Sequence, residues 1–208
     1  TRFGAEPRVK LFRSSRNQGA YNLRNALAAR ARGELLTFHD ADDFAFPDRI
    51  ANQVRQLERP LVNACVGNFV RIRRNGSFVF FKDQKASRMC TVSLMLTRRA
   101  FDQVGPFRSA RFGADLELFV ALRQRLSAGE LTRVRIPLLL GLASSGSATQ
   151  ASGSEALADG YRSPARRAYS ELVFRQQQPG NARLSSEELD ARLRATDNYQ
   201  PPSELSDA

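Results

Sequence analysis

The chain has 208 residues, 42% hydrophobic and 25% charged, the balance of a soluble globular protein with a sizeable core. Thirty-two Lys and Arg against 21 Asp and Glu leave a net charge of +11, which suits nucleic acid, acidic lipid or phosphorylated ligands. No run approaches the roughly 18–20 apolar residues of a membrane span and no secretory series opens the chain, so a cytoplasmic protein is expected, with the inner membrane face as a further option.

Arg8–Phe12 reads as a short strand and Ser14–Gly19 as a turn. Leu23, Leu27 and Ala31 repeat at i+4 through a helix over Tyr21–Arg32, with Gly33 as its C′ residue. Glu34–His39 is a strand whose continuous apolar core predicts a parallel strand buried on both faces. Pro47 opens a helix to Arg59, with Ile50, Val54 and Leu57 on its inner face. Val62–Arg74 and Phe78–Phe81 are two strands joined at Asn75-Gly76, and Phe69, Phe78, Phe80 and Phe81 read as sheet core.

Cys90–Leu96 is another strand, followed by a helix over Arg98–Val104 that ends at Gly105-Pro106. Leu118, Leu122 and Leu126 mark a helix over Asp115–Leu126, and Leu131–Leu140 is extended. Residues 144–154 read as a loop and Ala165–Gln177 as a helix. Residues 176–208 read as a polar, mobile tail carrying one helix with a Ser185–Glu188 capping box. This order of elements predicts an α/β domain with a mixed sheet. Cys65 and Cys90 stand in separate apolar stretches, so buried free thiols are expected.

The chemistry concentrates in Phe38-His39-Asp40-Ala41-Asp42-Asp43, three carboxylates at the end of a strand. Ligands of open α/β sheets bind there, and clustered carboxylates either stay solvated or hold a cation such as Mg²⁺ or Mn²⁺. The plain alternative is that these acids cap the helix that follows. His39, the single histidine, borders the cluster and reads as a local hydrogen-bonding residue.

The run from Asn17 to Gln53 resembles the central part of family 2 glycosyltransferases, which have the GT-A fold. It shows an N-x-G turn at Asn17, then Arg24-Asn25 of the A-R-N helix with Leu23 in place of Ala. Gly33-Glu34, an apolar strand, D-x-D at Asp40–Asp42 and P-x-R-I at Pro47–Ile50 follow. Downstream, Ser93–Arg99, Val104-Gly105-Pro106-Phe107 and Gly113-Ala114-Asp115 are similar to further motifs of the family, in the same order. The resemblance implies a GT-A (Rossmann-like) mixed sheet flanked by helices. It also implies that residues 1–175 are the later portion of such a domain, since the family's P-T-Y-N strand and D-D-G-S-like segment are not in the sequence.

Roles carry over by position. Asp42 and Asp40 align with the metal- and nucleotide-binding acids, Arg24 and Asn25 with the nucleotide-sugar side, and Asp115 with the catalytic base. The implied reaction is inverting transfer from a nucleotide-diphosphate sugar to a sugar or glycoconjugate acceptor, assisted by Mg²⁺ or Mn²⁺, in polysaccharide or glycoconjugate synthesis. Arg13, Arg16, Arg24 and Arg111 are candidates for phosphate contact. Residues 176–208 hold three Arg and six Asp and Glu, so the +11 is the balance of −3 there and +14 on residues 1–175. That distribution turns the charge towards a nucleotide diphosphate, with peripheral contact to an acidic membrane as a further partner. Two other readings stay open: an inactive remnant serving as an interaction module, and a basic nucleic-acid-binding protein.

Overall fold

The structure, a computed structural model, describes residues 6–81, 83–143, 164–175, 185–196, 200–201 and 206–207. The loop expected at 144–154 lies outside them. Along the chain run β1 (Phe12–Arg13), α1 (Ala20–Arg30), β2 (Leu35–Thr37), β3 (Asp43–Ala45), α2 (Arg49–Leu57), β4 (Ala64–Ile72) and β5 (Ser87–Thr97). Then come α3 (Arg98–Val104), α4 (Ala114–Arg125), β6 (Leu131–Leu142), α5 (Pro164–Arg175), α6 (Ser186–Arg194) and β7 (Ser206–Asp207).

Five strands form the central sheet in the order β2-β5-β4-β6-β3, and β1 pairs with β7 in a separate two-stranded ladder. Within the sheet β4 and β6 are parallel and the other neighbours antiparallel, so the sheet is mixed as expected. β2 departs from expectation: it is antiparallel to β5 and lies at one edge of this sheet. Only Leu36 is buried, against helices, while Leu35 and Thr37 are half-buried. Leu36 joins Ala28 of α1 and Ala100 and Phe101 of α3 in the core. A three-residue apolar strand carries no period that could separate these two environments.

α1 ends at Arg30, earlier than expected, and the predicted C′ glycine gives way to an extended Ala31 at the C-cap. α3 begins on the Thr97 hydroxyl, which accepts from the Ala100 amide, and closes at Gly105 with a positive φ. The turn at Asn75-Gly76 forms as read, with the Arg73 amide donating to Ser77 O at 2.8 Å. The return limb shrinks to one bridge between Ile72 and Phe78, and Phe78 and Phe80 are exposed rather than core.

β4 shifts register between Cys65 and Gly67, and the Gly67 amide donates to Ser93 Oγ on β5 at 2.7 Å. Leu138 of β6 approaches Gly67 so closely that a Cβ there would lie 2.3 Å from its Cδ1. The glycine is what lets β4 and β6 close at this point.

The inner face of α2 is also different from the one predicted. Arg49 and Gln53 are buried, while Ile50 is exposed. Both polar side chains are satisfied inside. Gln53 Nε2 donates to Ser93 O at 2.6 Å, and Arg49 reaches the end of β2. These hydrogen bonds offset the cost of burying the groups.

α6 carries the predicted capping box between Ser185 and Glu188. It does not stand off as part of a mobile tail, because Leu189 and Leu193 are buried and Leu193 joins the main core. Asp190 pairs with Arg108 at 2.7 Å, and the Gln200 amide donates to Ser109 O at 2.8 Å. The leucines at i and i+4 supply the apolar stripe that the polar composition of the segment hides.

Candidate active site

Residues 38–42 carry the chain from the β2 edge of the sheet to its β3 edge. They reach the end at which β4 and β6 finish, since Asp43 pairs with Gly141 and Gly141 with Arg71. Asp40 and Asp42 are thereby placed at the C-terminal edge of these strands, where α/β folds bind ligands.

One helix joins this loop to the remaining predicted residues. Tyr21, Arg24 and Asn25 of α1 follow at i, i+3 and i+4 and so share a face. Arg24 forms an ion pair with Asp40, and its guanidinium lies over the rings of Tyr21 at 5.2 Å and of Phe38 and Phe107 at 5.9 Å. Asn25 clamps the backbone of Phe107, donating to its carbonyl at 2.7 Å and accepting from its amide at 2.8 Å. Its amide group therefore holds the Gly105–Phe107 turn beside α1.

Asp115 sits in the first turn of α4. The N-cap is Gly113, at φ 87°, so Asp115 is not the helix cap. Its side chain turns outward to two hydroxyls: Tyr21 donates to Oδ1 and Thr91 to Oδ2. The Tyr21 oxygen in turn accepts from the Gly113 amide at 3.1 Å. Burial, with the Asp115 charge second, pushes the Tyr21 phenol well above its ordinary range, so it remains a protonated donor. A carboxylate has about four lone-pair sites, so two hydroxyl donors leave room for a third. The helix N-terminus favours negative charge here.

The three loop acids differ. Asp40 is occupied by Arg24, Asp42 is exposed, and Asp43 is half-buried at the start of β3. Burial, and then the charges of Asp40 and Asp42, push the Asp43 carboxyl up from its ordinary value. None of them caps α2, whose N-cap is Asp48, and the capping alternative is set aside. Arg49 holds the loop from below: its guanidinium donates to Phe38 O at 2.7 Å and Thr37 Oγ1 at 3.1 Å and meets His39 Nδ1 at 3.0 Å. His39 is thus a local hydrogen-bonding residue, as read.

Among the described residues no three His, Cys, Asp or Glu side chains converge as a cage for a metal ion. Of the loop acids, Asp42 is exposed and Asp40 has one oxygen paired with Arg24, so each keeps a carboxylate oxygen of the kind that can share a hard cation with a phosphate. An open cleft of about 670 Å³ lies elsewhere, between Asn22, Asn25 and Phe107 on one side and Glu117 and Leu118 on the other; none of Asp40, Asp42 and Asp115 lines it.

The structure therefore brings Arg24, Asp40 and Asp115 into one network through Tyr21, leaves Asp42 at its open side, and uses Asn25 as a backbone clamp. Arg13, Arg16 and Arg111 are exposed. Sequence reasoning missed Tyr21, Thr91 and Arg49. Tyr21 had a signal, three residues before Arg24 on one helix face, and Arg49 stood inside the P-x-R-I motif. Cys65 and Cys90 are free, and burial pushes both thiols up to about 11. No helix among the described residues is long and apolar enough to cross a membrane.

Comparison with known proteins adds three findings. The family model for glycosyl transferase family 2 matches residues 2–119. The succinoglycan biosynthesis protein ExoO of Rhizobium meliloti (strain 1021) is 29% identical over 90 residues, which is 43% of this chain and 26% of that protein. A mannosyltransferase from Pyrobaculum calidifontis, solved in complex with GDP-Man and Mn²⁺, aligns with 88% of this chain and 50% of its own, at 15% identity and a TM-score of 0.45. The chain thus spans about a quarter of the curated relative's length and half that of the solved structure.

Proposed function

The chain belongs to glycosyl transferase family 2, and on that premise we propose that it moves a sugar from a nucleotide-diphosphate sugar to an acceptor hydroxyl, with inversion. The observation that carries this reading is the run of contacts from Asp40 to Asp115, an ion pair to Arg24, a cation–π contact to Tyr21 and a hydrogen bond to Asp115, which ties one donor-side acid to a carboxylate suited to act as base.

In this reading the acceptor oxygen attacks the anomeric carbon while its proton passes to Asp115. The carbon–oxygen bond to the diphosphate breaks, and its electron pair leaves on the diphosphate. Asp115 acts if the acceptor hydroxyl comes within about 2.6–3.2 Å, and Tyr21 and Thr91 fix the direction in which it accepts. Arg24 holds Asp40 in place and adds positive charge on the donor side. Asp42 and Asp40 would hold a Mg²⁺ or Mn²⁺ ion, which supplies charge neutralisation for the diphosphate when bound. The named relative acts in succinoglycan biosynthesis, which favours a growing saccharide as acceptor.

The test is release of nucleoside diphosphate from a panel of nucleotide sugars with saccharide acceptors. Asp115→Asn is expected to lower turnover by about 10²–10⁴-fold, the usual worth of a general base. Unchanged turnover in that variant would remove Asp115 from the mechanism.

A further inference from the structure

The apolar surface on the β3 side of the loop has the opposite pattern to an ordinary solvent-facing sheet. Phe44 pairs with Leu140, Leu142 with Ile72, and Ile72 with Phe78, so strand alternation puts Phe44, Leu142 and Phe78 on one face, with Phe80 two residues further along the hairpin. All four are open to water, at 57%, 44%, 49% and 59% exposure. Val79, between the two phenylalanines, is buried, so the hairpin turns its larger apolar groups outward. Single exposed apolar residues are common; three on one sheet face with a fourth beside them mark a contact surface.

The hairpin side of this face is basic, while the acids of the loop lie at its Phe44 end. Residues 71–88 contain six Lys and Arg and one acid, Asp83. Arg73 and Arg74 stand exposed at the hairpin turn, next to Phe78 and Phe80. We infer that this hairpin and the β3–β6 face form a docking surface for an anionic lipid bilayer. Phe44, Leu142, Phe78 and Phe80 would enter the interface, while Arg73 and Arg74 pair with headgroup phosphates. The mixture of aliphatic and aromatic groups favours a bilayer over a nucleic acid, whose bases stack on aromatic rings but gain little from a leucine. Phe44 follows Asp43 directly, so docking here sets the acid-lined loop next to the lipid surface.

The chain contains no tryptophan, which allows a clean reporter. A Phe78→Trp variant of the full chain is mixed with phosphatidylglycerol vesicles and, separately, with phosphatidylcholine vesicles. Leu61→Trp, in the exposed turn after α2, serves as the off-surface reporter. The expected result is a blue-shifted emission quenched by brominated lipid for Trp at 78 alone. It should occur with the anionic vesicles, weaken with salt, and fall at least tenfold in vesicle affinity for Arg73→Gln/Arg74→Gln in the same background. Sedimentation of the wild-type chain with anionic vesicles should fall at least tenfold in Phe78→Ser/Phe80→Ser, whose folding is checked by circular dichroism. Equal shifts at 78 and 61, no shift, or equal binding to both vesicle types would overturn the inference. So would wild-type RNA binding, or self-association in light scattering, that is lost in Phe78→Ser/Phe80→Ser while vesicle binding is not.

Discussion

At the scale of single residues, the site depends on side chains that connect segments far apart in sequence. Tyr21 and Asp115 are 94 residues apart, and Thr91 comes from a third element. Tyr21→Phe removes the donor but keeps the ring under Arg24. It is expected to lower kcat about tenfold, with a smaller change in KM, measured by steady-state transfer kinetics. Thr91→Val should act in the same direction. Arg49 is the structural counterpart. Its donors end on Phe38 O, Thr37 Oγ1 and His39 Nδ1 beneath the acid loop, and Arg49→Met should cost about 1.5–3 kcal/mol in denaturant unfolding. The sequence made Arg24, Asp40 and Asp115 legible because each stands in an ordered motif. It could not show that Asn25 faces a backbone turn, because that partner lies 82 residues away.

At the scale of elements, the apolar period was a good guide where burial follows it and a poor one where polar groups are buried. α4 puts Leu118 and Leu122 inside, as its i+4 spacing indicates. α2 instead buries Arg49 and Gln53, because the end of β2 and the Ser93 carbonyl offer them acceptors that no period reveals. β3, three residues opening on a half-buried acid, is expected to give stability a pH dependence. The folded chain holds the Asp43 proton to higher pH than the unfolded chain does. Stability should therefore decline as pH rises from about 4, where a free carboxyl ionises, through the raised value in the fold. Asp43→Asn should remove that decline and raise stability at pH 7, read by urea unfolding at a series of pH values. Gly67 marks the closest approach of β4 and β6, and Gly67→Ala should destabilise by about 1–3 kcal/mol, because the buried Leu138 side chain must move.

At the scale of the whole molecule, α6 is tied to the core of the fold through Leu193. Leu193→Ala is expected to cost about 2–5 kcal/mol in a single global transition, whereas loss of an independent tail helix would leave the main transition unchanged. The mixed sheet was legible from the order of elements, but the position of β2 and the packing of α6 were not. Both depend on helices that meet them from elsewhere in the chain.

The central claim is that the Asp40–Asp42 loop binds the donor while Asp115, linked to it through α1, acts on the acceptor. Calorimetric titration of UDP, GDP, CDP and dTDP in the presence of Mn²⁺ tests it most directly, using the wild-type chain, Asp42→Asn and Asp115→Asn. The account predicts that at least one nucleotide binds the wild type, loses at least tenfold in affinity with Asp42→Asn, and keeps its affinity with Asp115→Asn. Binding unaffected by Asp42→Asn, or no binding of any of the four, would contradict it.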